Sequence, residues 1–156
     1  MTQQETQPLR TTSPDRLRHL LVRPWTCAGI TLGVLSFVDP QPFTPFTLLT
    51  GVLPLVALAY LVYALLRSWR PAATTGGGAR PVTRQAVGVV LFAGIALVTV
   101  AVDPTIGQYV LAAGWLGHAF WDYAHRDGRV VPRGFVDFCL PFDVLVAASI
   151  VVAALT

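Results

Sequence analysis

The sequence predicts an all-α membrane protein, a bundle of five transmembrane helices with its N-terminus in the cytoplasm. Three observations predict it. The 156 residues are 54% hydrophobic and only 12% charged, against about 25% charged in soluble domains. Five apolar stretches approach the roughly 17–25 residues that cross the hydrocarbon. All 11 basic residues are arginine, and they fall between the apolar stretches in a pattern that sets orientation.

In chain order, residues 1–15 are polar and expected to be a disordered cytoplasmic tail, with no cleavable leader pattern behind it. Ser13-Pro14-Asp15 resembles an N-cap with Pro at N1, so residues 16–23 are expected to form a short basic interfacial helix. The single membrane domain, residues 16–156, then holds spans near 24–38, 46–66, 86–102, 106–124 and 136–155. Arg10, Arg16, Arg18 and Arg23 precede the first span. Arg67, Arg70, Arg80 and Arg84 separate the second from the third, and Arg126, Arg129 and Arg133 separate the fourth from the fifth. The other two connections carry no arginine. Every arginine therefore falls on one side, which gives a multi-pass protein of the cell membrane with its C-terminus outside.

Several function classes are excluded or weakened. No basic face with base-stacking groups is present, so no nucleic-acid partner is expected. Gly76-Gly77-Gly78 lacks the Lys and Ser/Thr of a phosphate loop and is expected to be a flexible connector. Cys27 and Cys139 are too few for a disulfide framework and are expected to pack as small apolar groups. The aspartates do not follow the spacing of CDP-alcohol phosphotransferases.

A short internal repeat links Gly29-Ile30-Thr31-Leu32 and Asp39-Pro40 to Gly94-Ile95-Ala96-Leu97 and Asp103-Pro104. Each Asp-Pro suits a helix N-cap followed by Pro at its first position. Extended to Tyr63-Ala64 and Tyr123-Ala124, the repeat sets Leu58, Val62 and Leu65 opposite His118, Asp122 and His125. The second copy would then be polar where the first is apolar.

Those three polar residues are the densest chemistry in the chain. His118, Asp122 and His125 stand at i, i+4 and i+7, about 6 and then about 4.5 Å apart along one helix face. Ala112, Ala113, Gly114 and Gly117 would let a neighbouring helix approach closely. A short connection makes the fourth and fifth spans antiparallel neighbours, which brings Asp143 to the same depth, one turn beyond Cys139. Ionisable groups inside a bilayer are costly and mark functional sites. Three uses compete: a structural polar network; a divalent metal centre (zinc, iron or manganese) on imidazole and carboxylate ligands; and acid–base chemistry in which Asp122 or Asp143 donates a proton relayed by histidine. Trp115, Trp121, Arg126 and Arg129 would bind substrate, the arginines meeting an anionic headgroup at the mouth. Asp127-Gly128 between them suits a turn.

Residues 114–143 resemble part of a group of small bacterial integral membrane proteins that share a Gly-His-x-x-Trp-Asp-x-x-His core, a Val-Pro and a following Cys and Asp. Here these are Gly117-His118, Trp121-Asp122, His125, Val131-Pro132, Cys139 and Asp143. The resemblance covers about the last quarter of the chain. It adds weight to those residues and implies no particular reaction. A looser similarity is to integral membrane terpene cyclases, which also use intramembrane carboxylates. The expected function is a membrane-embedded enzyme acting on a lipid or isoprenoid, with His118, Asp122, His125 and Asp143 as its catalytic or metal-binding groups. The alternatives are a non-catalytic subunit or assembly factor of a larger membrane complex, homo-oligomeric or not, and, ranked last, an ion pathway.

Overall fold

The computed structural model describes residues 24–38, 48–69 and 80–155. The expected tail, interfacial helix, triple-glycine connector and Asp39-Pro40 lie outside them. The described residues form five helices and no strand: α1 (Pro24–Leu35), α2 (Leu48–Ser68), α3 (Arg80–Ala101), α4 (Pro104–Ala124) and α5 (Arg133–Leu155). Each expected span overlaps one, and α3 begins six residues before its span. Three helical stretches, Leu48–Ser68, Val82–Ala101 and Arg133–Leu155, are long and apolar enough to cross a membrane. The α4 helix matches them in length, and its turns hold Gln108, His118 and Asp122. The α1 helix has 12 residues and continues as turns to Val38.

Local chemistry sets the ends of α4. Asp103 is its N-cap, accepting from the Thr105 amide at 2.9 Å, with Pro104 at the first helical position. Such a cap contributes about 1 kcal/mol. Beyond His125, the Asp127 carboxylate accepts from the Arg129 amide at 3.0 Å and Gly128 takes φ 74°. That left-handed conformation suits glycine. Arg67, at the end of α2, donates to the Gly128 and Arg129 carbonyls and ties this turn to α2.

Packing rests on small residues, because in an apolar solvent burial alone does not drive helices together. Among the described residues, the α1 helix lies on α5 alone. A Cβ on Gly29 would collide with the Phe138 carbonyl oxygen, and one on Gly33 would stand 2.7 Å from Leu145 Cβ. Gly29 and Gly33 are four residues apart, a small-xxx-small seam. Gly114 serves α4 in the same way, since a Cβ there would meet Ile95 of α3 and Leu53 of α2 at 2.7 and 2.8 Å. The α4 helix is central, touching α2, α3 and α5. Leu53, Phe92, Leu111, Trp115, Val146 and Ile150 form the main core around it. A smaller cluster of Tyr60, Val131 and Val136 closes the end near the α4–α5 connection. Large apolar side chains also cover the outside, including Leu55, Val90, Leu97, Phe120 and Val152. An apolar exterior of this extent suits a lipid solvent.

The repeat does not provide the comparison expected of it. Leu58, Val62 and Leu65 are exposed, whereas His118, Asp122 and His125 are buried. The register pairs the outer face of α2 with the inner face of α4. The inward residues of α2 are Leu53, Ala57, Tyr60 and Ala64.

Candidate metal centre

Between the two apolar clusters lies a polar layer. His118 and Asp122 come from adjacent turns of α4 and Asp143 from α5, and each is 0% exposed. The α4–α5 pairing brings them together, and one ligand atom from each lies within 4.8 Å of the others. His118 Nδ1 is 2.7 Å from Asp143 Oδ2 and 3.8 Å from Asp122 Oδ1. The fourth member is Tyr60 of α2, whose hydroxyl donates to Asp122 Oδ1. Its ring meets His118 edge-on, as does that of Phe92.

Hydrogen bonds account for part of this layer. Tyr60 has one O–H, given to Asp122. The short contact between His118 Nδ1 and Asp143 Oδ2 carries one proton, on the nitrogen or on the oxygen according to tautomer. What remains is one atom on each residue with no hydrogen-bond partner: His118 Nε2, Asp122 Oδ2 and Asp143 Oδ1. With both carboxyls ionised, the two aspartate oxygens are lone-pair acceptors. Buried polar groups normally find partners, and leaving one bare costs about 1–3 kcal/mol. A cation bound among these side chains would relieve such a deficit. A fourth unpaired atom, the donor Trp115 Nε1, belongs to a ring stacked edge-on against Phe142 in the apolar core.

Charge points the same way. Two carboxylates share the layer with one imidazole, and none of the arginines whose side chains are described pairs with them. Arg67 serves the turn, Arg84 lies over Trp121, Arg126 lies over Tyr123, and Arg129 pairs with Asp127. Buried carboxylates without a counter-charge are costly. A divalent ion balances two of them. The group could therefore hold a metal.

His125 was expected to join this set and does not. The α4 helix ends at Ala124, so His125 is its C-cap and leaves the helical stripe. Its Nδ1 donates to the Trp121 carbonyl at 2.8 Å, and its Nε2 accepts from Gln85 Nε2 at 3.0 Å. Gln85 Oε1 in turn accepts from Trp121 Nε1 at 3.2 Å. Both ring nitrogens are thus committed, and neither has a lone pair left for a metal. Burial holds the imidazole below its ordinary pKa, which keeps it neutral in this ring of bonds.

The other expected residues are placed as follows. Trp115 is fully buried in the core. Trp121 is half-buried within the Gln85–His125 network. Arg126 and Arg129 are exposed on the connection between α4 and α5, engaged with Tyr123 and Asp127. Cys139 is buried, one turn before Asp143, but outside the three-residue group. Tyr60 and Gln85 were not anticipated. Each is a lone polar residue in or at the edge of an apolar run, and only the helix pairing shows what it faces.

No protein-family model, no curated protein and no solved structure matches this chain.

Proposed function

We propose that the chain is a five-span protein of the cell membrane with a cytoplasmic N-terminus, and that it is a membrane-embedded enzyme acting on a lipid or isoprenoid. Its site would be the His118–Asp122–Asp143 centre, in the cytoplasmic half of the bilayer, holding zinc, iron or manganese. The observation that carries this reading is the convergence of one imidazole and two carboxyl groups, fully buried, each with an unpaired polar atom and with no arginine partner among the described residues. One imidazole and two carboxylates suit any of those three ions, and a donor set without the Cys139 thiolate removes the particular preference for zinc. A bound ion would act as a Lewis acid or activate water. Without one, the Tyr60–Asp122 and His118–Asp143 pairs supply acid–base groups to the same place. The apolar exterior restricts the substrates that can reach the layer to those dissolved in the membrane. Arg126 and Arg129 stand where an anionic headgroup would meet the connection between α4 and α5.

The test is lipid profiling of membranes from cells lacking the protein. Wild type should restore a changed lipid or isoprenoid species, and Asp122→Asn and Asp143→Asn should not, although both are inserted. Full restoration by both variants would defeat the catalytic reading. The second reading, a non-catalytic subunit, is favoured by the complete burial of all three residues, since structural metal sites are closed and catalytic ones keep a position open. It predicts an unchanged lipid profile and stable co-purification with a larger partner.

A further inference from the structure

We infer that Tyr60 is the positioning residue of the centre: its hydroxyl donates to Asp122 and so fixes how that carboxylate meets a divalent ion. This rests on the metal reading above and deepens it. Tyr60 is 0% exposed and comes from α2, the one helix of the layer that supplies no ligand. Its O–H donates across the bundle to Asp122 Oδ1. The ring is held in place independently of that bond. It meets His118, His125 and Phe135 edge-on, at centroid separations of 5.9, 5.2 and 5.7 Å, and packs on Val131 and Val136. The hydroxyl is thus carried on a rigid mount and directed at one carboxylate oxygen.

The consequence is stereochemical. A carboxylate with both oxygens bare can chelate an ion or rotate between ligating modes. With the tyrosine on Oδ1, the Asp122 carboxylate is held in one rotation. Asp143 is in contact with His118 Nδ1, itself a member of the group. Asp122 therefore has a partner outside the ligand group, the pattern in which outer partners orient metal ligands. The imidazole is oriented by the same Asp143 contact. The donor to Asp122 comes from α2, so the orientation of Asp122 depends on the docking of α2 on α4.

The experiment uses full-length protein in detergent, stripped with a chelator and titrated with Co2+ in competition with a chromophoric chelator, and reads both affinity and the visible absorption band of the bound ion. Wild type should bind one Co2+ per chain. Tyr60→Phe keeps the ring contacts and removes only the donor. It should weaken binding about 10–100-fold and shift the band as Asp122 changes mode. Tyr63→Phe, on the same helix and touching Phe135, should change neither. A purely structural Tyr60 would lower thermal stability in the stripped protein and leave band and affinity alone, and that result overturns the inference. If Tyr60→Phe folds only in excess Co2+, the band is still read directly. If it does not fold even then, Tyr60 is a folding residue and the positioning role is overturned. Wild type that binds no Co2+ overturns the metal reading and this inference with it, whereas wild type that binds with Tyr60→Phe unchanged overturns this inference alone.

Discussion

Two histidines seven residues apart on one helix make the most instructive pair in the molecule. His118 and His125 are both buried, both touch the Tyr60 ring, and both would be drawn on one face of a helical wheel. Yet His125 has a partner on each nitrogen, from a backbone carbonyl and an amide. His118 faces two carboxylates and keeps Nε2 bare. The His125 network closes on itself through Gln85 and Trp121 and needs nothing further. The His118 layer is left with acceptors and negative charge. What separates a site from scaffold here is the completeness of hydrogen bonding.

The contrast is broken most strongly by exchanging the roles. Asp143→Asn should remove most of the divalent-ion binding, a loss of about 100-fold or more, since it takes away both a ligand charge and the partner that orients His118. His125→Gln should retain binding within a few-fold. Comparable losses in both variants, measured by competition titration, would erase the distinction.

A second experiment places the disturbance far from both histidines. Gly29→Leu forces a side chain into the Phe138 backbone, and such overpacking costs typically about 1–3 kcal/mol. Thermal unfolding in detergent should report that loss while ion affinity stays unchanged. A parallel loss of affinity would mean that the α1–α5 seam holds the centre in place.

A third sharpens the His125 side through pH. Burial lowers its folded-state pKa below the ordinary 6.5, so the unfolded chain takes up the proton first. The stabilisation is complete above about pH 6.5 and declines as pH falls from there toward the folded value, by at most about 1.4 kcal/mol per unit. His125→Gln should flatten that part of the stability profile between pH 7 and 5. An identical slope in wild type and variant would show that His125 is not the responsible group. The smallest effect is expected of Arg67→Ala, which removes an exposed tie between α2 and the Gly128–Arg129 turn. It should cost about 1 kcal/mol or less and leave ion binding intact.

Much of this was legible in the sequence, for identifiable reasons. Hydropathy and the one-sided arginines mark five helical stretches, because those signals are local. The Asp103-Pro104 cap and the Asp127-Gly128 turn are equally local and read correctly. His118, Asp122 and Asp143 could be brought together from helical spacing and one short connection. His125 failed because the stripe presumes that the helix continues, and it stops at Ala124. Tyr60 could not be read, since its role depends on which face α2 turns inward, and the repeat suggested a different face. The α1–α5 contact had a signal in Gly29 and Gly33, but two glycines do not say which helix they meet.

The central claim, that the buried His118–Asp122–Asp143 layer exists to hold a divalent ion, is tested most directly by elemental analysis of the detergent-purified protein. Wild type and His125→Gln should each carry about one transition-metal ion per chain, and His118→Ala and Asp143→Asn should lose it. Metal-free wild type that takes up none on titration, or metal content unchanged by those two substitutions, would contradict it.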